Sequence, residues 1–127
     1  MKAMIASASL DSVSFSDCPI NTMVVDAPEN NFTVFFGFAY VSIDNTKWEA
    51  VDDVVLSVAD WVSLRIATQA DGIWTEVPSE NPEIFKEILD VQHQPDQLIL
   101  EGFSAQSGLW LRYDCKGDGL QIAVKTQ

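Results

Sequence analysis

Histidine occurs once in this chain, at His93, and cysteine twice, at Cys18 and Cys115. A Cys–His or Ser–His nucleophile needs base and nucleophile side by side. His93 lies in the polar run Gln92-His93-Gln94-Pro95, which reads as an exposed loop. Two cysteines and one histidine with no close spacing exclude a zinc site. Nor do two cysteines make a disulfide framework. Each sits in an apolar, alternating context, so both read as buried free thiols. The six glycines are scattered, with neither GxGxxG nor GxxxxGKS/T among them, which excludes a phosphate-cradling loop. Long apolar runs are missing too. No window approaches the ~18 residues of a transmembrane helix. The opening Met1-Lys2-Ala3-Met4-Ile5-Ala6-Ser7-Ala8-Ser9-Leu10 is too short and polar for a secretory core. The expected compartment is therefore the cytoplasm, and Asn31-Phe32-Thr33 reads as a strand start, not a glycosylation site.

Basic residues are scarce. Seven Lys and Arg face 19 Asp and Glu, a net charge of −12. Affinity for nucleic acid or an anionic membrane is built on Lys and Arg contacts to phosphates, so both are excluded as partners. A basic protein or a divalent cation would be attracted. Calcium fails on inspection of Asp114-Cys115-Lys116-Gly117-Asp118-Gly119. Aligned to the EF-hand loop, Lys116 and Lys125 occupy positions three and twelve, where oxygen ligands are needed. That segment reads as a β-turn. Asp52 and Asp53 are adjacent on an expected strand, so they point to opposite faces and cannot converge on one substrate. No cofactor, metal or catalytic residue is expected, and the chain does not read as an enzyme.

What the chain has in abundance is two-residue periodicity. Its 127 residues, 47% hydrophobic, suit one domain spanning 1–127. Phe32, Val34, Phe36, Phe38 and Tyr40 alternate along one face of an expected strand over Asn31–Ile43, with apolar groups on its other face as well. The turn formers Asp26–Asn31 join it to a strand at Ile20–Val25. After a turn at Asp44–Lys47, a strand over Trp48–Val58 turns Val54, Leu56 and Val58 to one side. Asp60–Ala67 follows with Leu64 and Ile66, then the turn Asp71-Gly72 beside Ile73 and Trp74. Pro82–Val91 reads as the one helix: Asn81 caps it, Pro82 suits the first position, Glu83 complements the dipole, and Ile84, Phe85, Ile88 and Leu89 form a stripe. Gln97–Phe103, Leu109–Lys116 and Leu120–Lys125 alternate and are closely joined, so they read as an antiparallel meander. The expected fold is mainly β (α+β), an antiparallel sheet or sandwich of about seven or eight strands with a short helix near 82–91.

Charge is the remaining signal. Asp44, Glu49, Asp52, Asp53 and Asp60 stand against Lys47 alone between residues 44 and 60. Asp71, Glu76, Glu80, Glu83, Glu87, Asp90, Asp96 and Glu101 stand against Lys86 between 71 and 101. Trp48, Trp61 and Trp74 are interleaved with these acids. Acids steer an encounter and large aromatics anchor it, which is what an interface with a basic partner requires. The candidate partner-binding residues are accordingly Trp48, Glu49, Asp52, Asp53, Asp60, Trp61 and Trp74.

Phe15-Ser16-Asp17-Cys18-Pro19-Ile20 before a strand, an Asn-rich turn and an apolar strand, then Val54-Val55-Leu56-Ser57-Val58 in acidic surroundings, form a recognisable layout. Its ending is Leu98-Ile99-Leu100-Glu101-Gly102-Phe103 followed by Gly108-Leu109-Trp110-Leu111. The layout resembles small single-domain bacterial proteins grouped with the immunity proteins of polymorphic toxin systems. It covers most of the chain as a rhythm of strands. It departs at Ser16-Asp17, where such proteins often read His-Asp, and it carries over no functional residue. The resemblance implies a protein-binding inhibitor of a basic toxin domain. Two other readings stand beside it: a structural or assembly domain whose acids serve solubility, and a small-ligand domain with a pocket between sheet and helix.

Overall fold

A computed structural model describes residues 10–43 and 47–126 of the chain. The expected turn at Asp44–Lys47 begins outside the described residues, as does the opening segment up to Ser9. The described chain forms two five-stranded antiparallel sheets packed as a sandwich. The first holds β1 (Val13–Ser14), β2 (Ile20–Asp26), β3 (Asn31–Ile43), β4 (Lys47–Ala59) and β10 (Gln121–Thr126). Strand β3 takes β1 and β2 at successive positions along one edge and β4 along the other, and β10 pairs with β4. The second sheet holds β5 (Ser63–Ala70), β6 (Ile73–Val77), β7 (Phe85–Gln94), β8 (Gln97–Ser104) and β9 (Trp110–Lys116), in the order β6-β5-β9-β8-β7.

Local chemistry accounts for the hairpins. Asp71 and Gly72 both have positive φ (51° and 79°), the twist-matched turn that Asp-Gly favours, and it joins β5 to β6 with Ala70 opposite Ile73. Between β2 and β3, Asn30 takes φ 53° and donates its N–H to the Ala27 carbonyl at 3.1 Å. The core lies between the sheets. Phe32, Val34, Phe36, Val54, Leu56, Val58 and Val124 come from the first; Ile66, Phe85, Ile88, Leu98, Leu100, Leu111, Tyr113 and Cys115 come from the second. Phe32 bridges the layers, its ring centroid 5.5 Å from Tyr113 and 5.6 Å from Trp61.

Three sequence expectations are corrected. The helix near 82–91 is absent: Phe85–Gln94 is strand β7, paired with β8. The register shifts between Phe85 and Glu87 and again between Ile88 and Asp90. Each bulge inserts one unpaired residue, so inward positions fall three apart, at Phe85, Ile88 and Val91. A doubly bulged strand therefore mimics a helical stripe. The last three strands do not form one meander either, because β10 leaves the sheet of β8 and β9 to join β4. The crossing occurs at a tight corner. Val62 N–H donates to the Lys116 carbonyl at 2.7 Å, and Gly117 packs so closely that a Cβ there would lie 2.8 Å from the Val62 nitrogen.

The third correction concerns β3. Phe32, Val34 and Phe36 are buried, but beyond Gly37 the buried positions become Ala39 and Val41, leaving Phe38 half-buried and Tyr40 exposed. The partner strand changes parity at the same level. Val54, Leu56 and Val58 point inward, then Val51, across Asp53 at φ 56°. A left-handed residue in mid-strand turns the hairpin over, and its distal half presents the opposite set of side chains.

Candidate functional site

The distal half of the β3–β4 hairpin forms an arm. Strand β10 pairs with β4 only from Ala59 to Val54, so from Lys47 to Asp53 the outer edge of β4 has no paired strand among the described residues. Lys47, Trp48, Glu49 and Ala50 are all exposed. The register sets Ser42 opposite Trp48, Tyr40 opposite Ala50 and Phe38 opposite Asp52, which places Phe38, Tyr40, Trp48 and Asp52 on one face. The Phe38 and Tyr40 rings meet edge to face at 5.6 Å, and Trp48 is 53% exposed. Glu49 and Asp53 occupy the alternate positions, toward the other face. The arm thus combines an aromatic face, flanking carboxylates and an open backbone edge.

The other three residues singled out from the sequence lie elsewhere. Asp60 and Trp61 form the corner at the far end of β4, roughly 40 Å of extended chain from Trp48. There Asp60 N–H donates to the Asn30 carbonyl at 2.9 Å, and Asn30 Nδ2 donates to the Trp61 carbonyl at 3.1 Å. Trp61 itself is 5% exposed, its ring against Phe32, and it serves the core. Trp74 stands on edge strand β6 of the second sheet. Trp48 and Asp52 share one face of the arm, Glu49 and Asp53 lie on the same strand toward the other face, and Asp60, Trp61 and Trp74 are elsewhere. Phe38 and Tyr40 were missed because unbroken alternation through Gly37 assigned them to the core. The signal available was the pair of turn-tolerant residues, Gly37 and Asp53, in mid-strand.

A second surface covers the outer face of the second sheet. Trp74 lies under the Arg112 guanidinium, 4.7 Å from ring centroid to Cζ. Trp110 Nε1 donates to Glu101 Oε1 at 2.9 Å, and Phe103 meets the Trp110 ring edge to face at 5.4 Å. Arg112 Nε is 3.5 Å from the same Glu101 oxygen, a charge contact too poorly aligned to be a hydrogen bond, so this buried N–H has no acceptor. Arg65 donates to Glu76 Oε1 from Nε at 3.0 Å and from Nη2 at 2.7 Å. Along β9, Leu111, Tyr113 and Cys115 are buried and alternate with Trp110, Arg112 and Asp114; Leu109, in step with the inward set by sequence, is 37% exposed.

Cys18 and Cys115 are free and 1% and 0% exposed. Burial pushes the Cys115 thiol up to about 12, reinforced by Asp114. Burial also raises Cys18, against a lowering backbone hydrogen bond from Tyr40. The Tyr113 hydroxyl, raised by burial, donates to the Glu83 carbonyl. His93 is exposed on β7, in a strand and not the expected loop. Phe85–Gln94 being strand β7, the small-ligand reading loses the helix that was to wall its pocket. One cleft among the described residues is an open surface depression of about 400 Å³ lined by Val62, Gln94, Asp96 and Lys116. Among the described residues no group of three or more His, Cys, Asp or Glu is placed to hold a metal, and no helix is long and apolar enough to cross a membrane. No family model, curated protein or solved structure matches this chain.

Proposed function

We propose that this chain is a protein-binding module that engages a basic partner through the β3–β4 arm. The observation that carries this reading is a 53% exposed Trp48 sharing a face with Tyr40, Phe38 and Asp52, with Glu49 and Asp53 toward the other face, on a stretch of β4 that β10 does not pair with. Along Lys47–Val51 no strand lies beside this edge among the described residues, and a partner strand can add to it with its side chains alternating into the aromatic face. Trp48 and Tyr40 are the residue types that dominate interface energetics. The net charge of −12 raises the encounter rate with a basic surface. An inhibitor of the immunity type, occluding a basic toxin domain, is the specific form of this function that the strand layout and the acidity support together.

The test is capture of partners at low salt by the wild-type chain and by the double variant Trp48→Ala, Glu49→Lys, with association rates measured on whatever the wild type retains. Both sites are exposed, so the variant folds with a stability change within about 0.5 kcal/mol per site. It should lose the partner. The wild-type on-rate should fall steeply as the Debye length shrinks from ~30 Å at 0.01 M salt to ~10 Å at 0.1 M. A partner that binds the variant equally well, or whose on-rate ignores salt, rules out the arm.

A further inference from the structure

The outer face of the second sheet is charged in a pattern unlike the rest of the chain. Of the six bases among the described residues, Lys47, Arg65, Lys86, Arg112, Lys116 and Lys125, this face holds both arginines and Lys116. Tyr113 and Cys115 point into the core, so the central strand β9 presents Trp110, Arg112, Asp114 and Lys116 outward. In order these are an aromatic, a cation, an anion and a cation. Reversed and laid on itself about a two-fold axis midway between Arg112 and Asp114, this stripe is complementary at every step. Arg112 meets Asp114 of the copy, Asp114 meets its Arg112, and Trp110 meets its Lys116.

The flanking strands obey the same operation. Register places Ala67 and Glu101 beside Arg112, Arg65 and Ile99 beside Asp114, and Gln69 and Phe103 beside Trp110. The two-fold sets Glu101 against Ile99, Arg65 against Ala67 and Phe103 against Gln97. On β7, Asp90 and Gln92 lie beside Glu101 and Ile99, so Asp90 faces Gln92. No charge on β5, β7, β8 or β9 is set against its like.

We propose that this face is a self-association surface that takes a second copy of the chain across a two-fold axis perpendicular to β9. A basic partner has little reason to choose it, because the carboxylates of Glu76 and Glu101 are already engaged by Arg65 and Arg112. A second copy, itself at −12, meets opposite charges here. The composition suits an interface centre, with Trp74 at 39% and Phe103 at 41% exposure around the Trp110–Arg112 pair. The unsatisfied Arg112 Nε lies at that centre. Strands of 8, 5, 10, 8 and 7 residues, with alternate residues outward, supply about 19 side chains. That is just under the 20–30 residues a side of a standard interface. Face-to-face packing at about 10 Å is the usual geometry of two sheets.

Sedimentation velocity of the full chain over a concentration series is the experiment. The wild type should pass from monomer to dimer as concentration rises. Asp114→Arg and Arg112→Asp should each weaken association about tenfold or more, since each places like charges across the axis. Mixing the two single variants should restore a dimer, because the axis then pairs opposite charges, and the double variant Arg112→Asp, Asp114→Arg should restore it as well. Trp48→Ala, on the arm, should change nothing. Should Arg112→Asp fail to fold after losing Trp74 and Glu101, the exposed Lys116→Asp replaces it; it removes the cation set against Trp110 of the copy, and it too should weaken association. A chain that stays monomeric up to about 1 mM overturns the proposal. So does a dimer indifferent to Asp114→Arg, or a mixture no tighter than its components.

Discussion

Replacing Gly102 with alanine attacks the feature that turned an expected helix into a strand. A Cβ at this position would lie 1.8 Å from the Glu87 carbonyl oxygen, 2.8 Å from its carbon and 2.9 Å from the Ile88 Cα. All three are backbone atoms of the bulged stretch of β7, so no side chain can swing away. Ordinary contact begins near 3.4 Å, so β7 must retreat by about 1.6 Å. A ladder hydrogen bond of ~2.9 Å does not survive that displacement. Two or three such bonds, at about 0.5–1.5 kcal/mol each, are lost. The fully buried Phe85 and Ile88 on the same strand lose packing as well. Overpacking of this kind costs about 1–3 kcal/mol. Together these give about 3–5 kcal/mol, a large share of the 5–15 kcal/mol typical of a domain. At about 3–4 °C per kcal/mol for a chain of this size, the melting temperature should fall by roughly 10–20 °C. Gly119→Ala is the control, because a Cβ there meets nothing within 4 Å, and it should shift the melt by a degree or two. The assay is thermal unfolding followed by far-ultraviolet circular dichroism. A Gly102→Ala protein that melts with the wild type, or a wild-type spectrum with a helical component, would refute the bulged pairing of β7 with β8.

Other consequences can be checked with the same melts. Phe36→Ala should cost about 3–5 kcal/mol, because Phe36 is 1% exposed and stacked on Phe15 at 4.5 Å. Phe38→Ala, beyond the change of parity, should cost clearly less; equal losses would mean that the hairpin does not turn over. Asp53 at φ 56° should tolerate Asp53→Asn but lose about 1–3 kcal/mol on Asp53→Val, since a β-branched residue is strained there. The Cys115 thiol keeps its proton up to about 12 in the folded chain against 9.0 for an ordinary thiol. Above pH 9 the unfolded state therefore sheds a proton that the folded state retains. Stability from this group is full below pH 9 and declines toward pH 12, and Cys115→Ala should flatten that part of the profile. Both thiols should label slowly in the folded chain, and a mass lower by two hydrogens would contradict their free state.

Local rules reached far along this chain. Asp71-Gly72 specifies its turn by the positive φ that both residues tolerate, and the alternation in β8, β9 and β10 assigns Leu98, Leu111 and Val124 to the core correctly. Cys115 was legible as buried for the same reason. These features depend on a residue and its near neighbours, and composition alone set the net charge of −12. The tertiary structure decided the rest. Whether Pro82–Val91 is helix or strand turned on the bulges against β8 and the bare Gly102 opposite them. The change of sheet by β10 turned on a corner where Gly117 meets Val62, residues distant in sequence. Trp61 and Tyr40 exchanged their expected places because Phe32 waits at one end of the hairpin while Asp53 reverses the other. Periodicity states that a side chain has two faces to choose between; which face meets a partner depends on chain that arrives from elsewhere, and only packing supplies that.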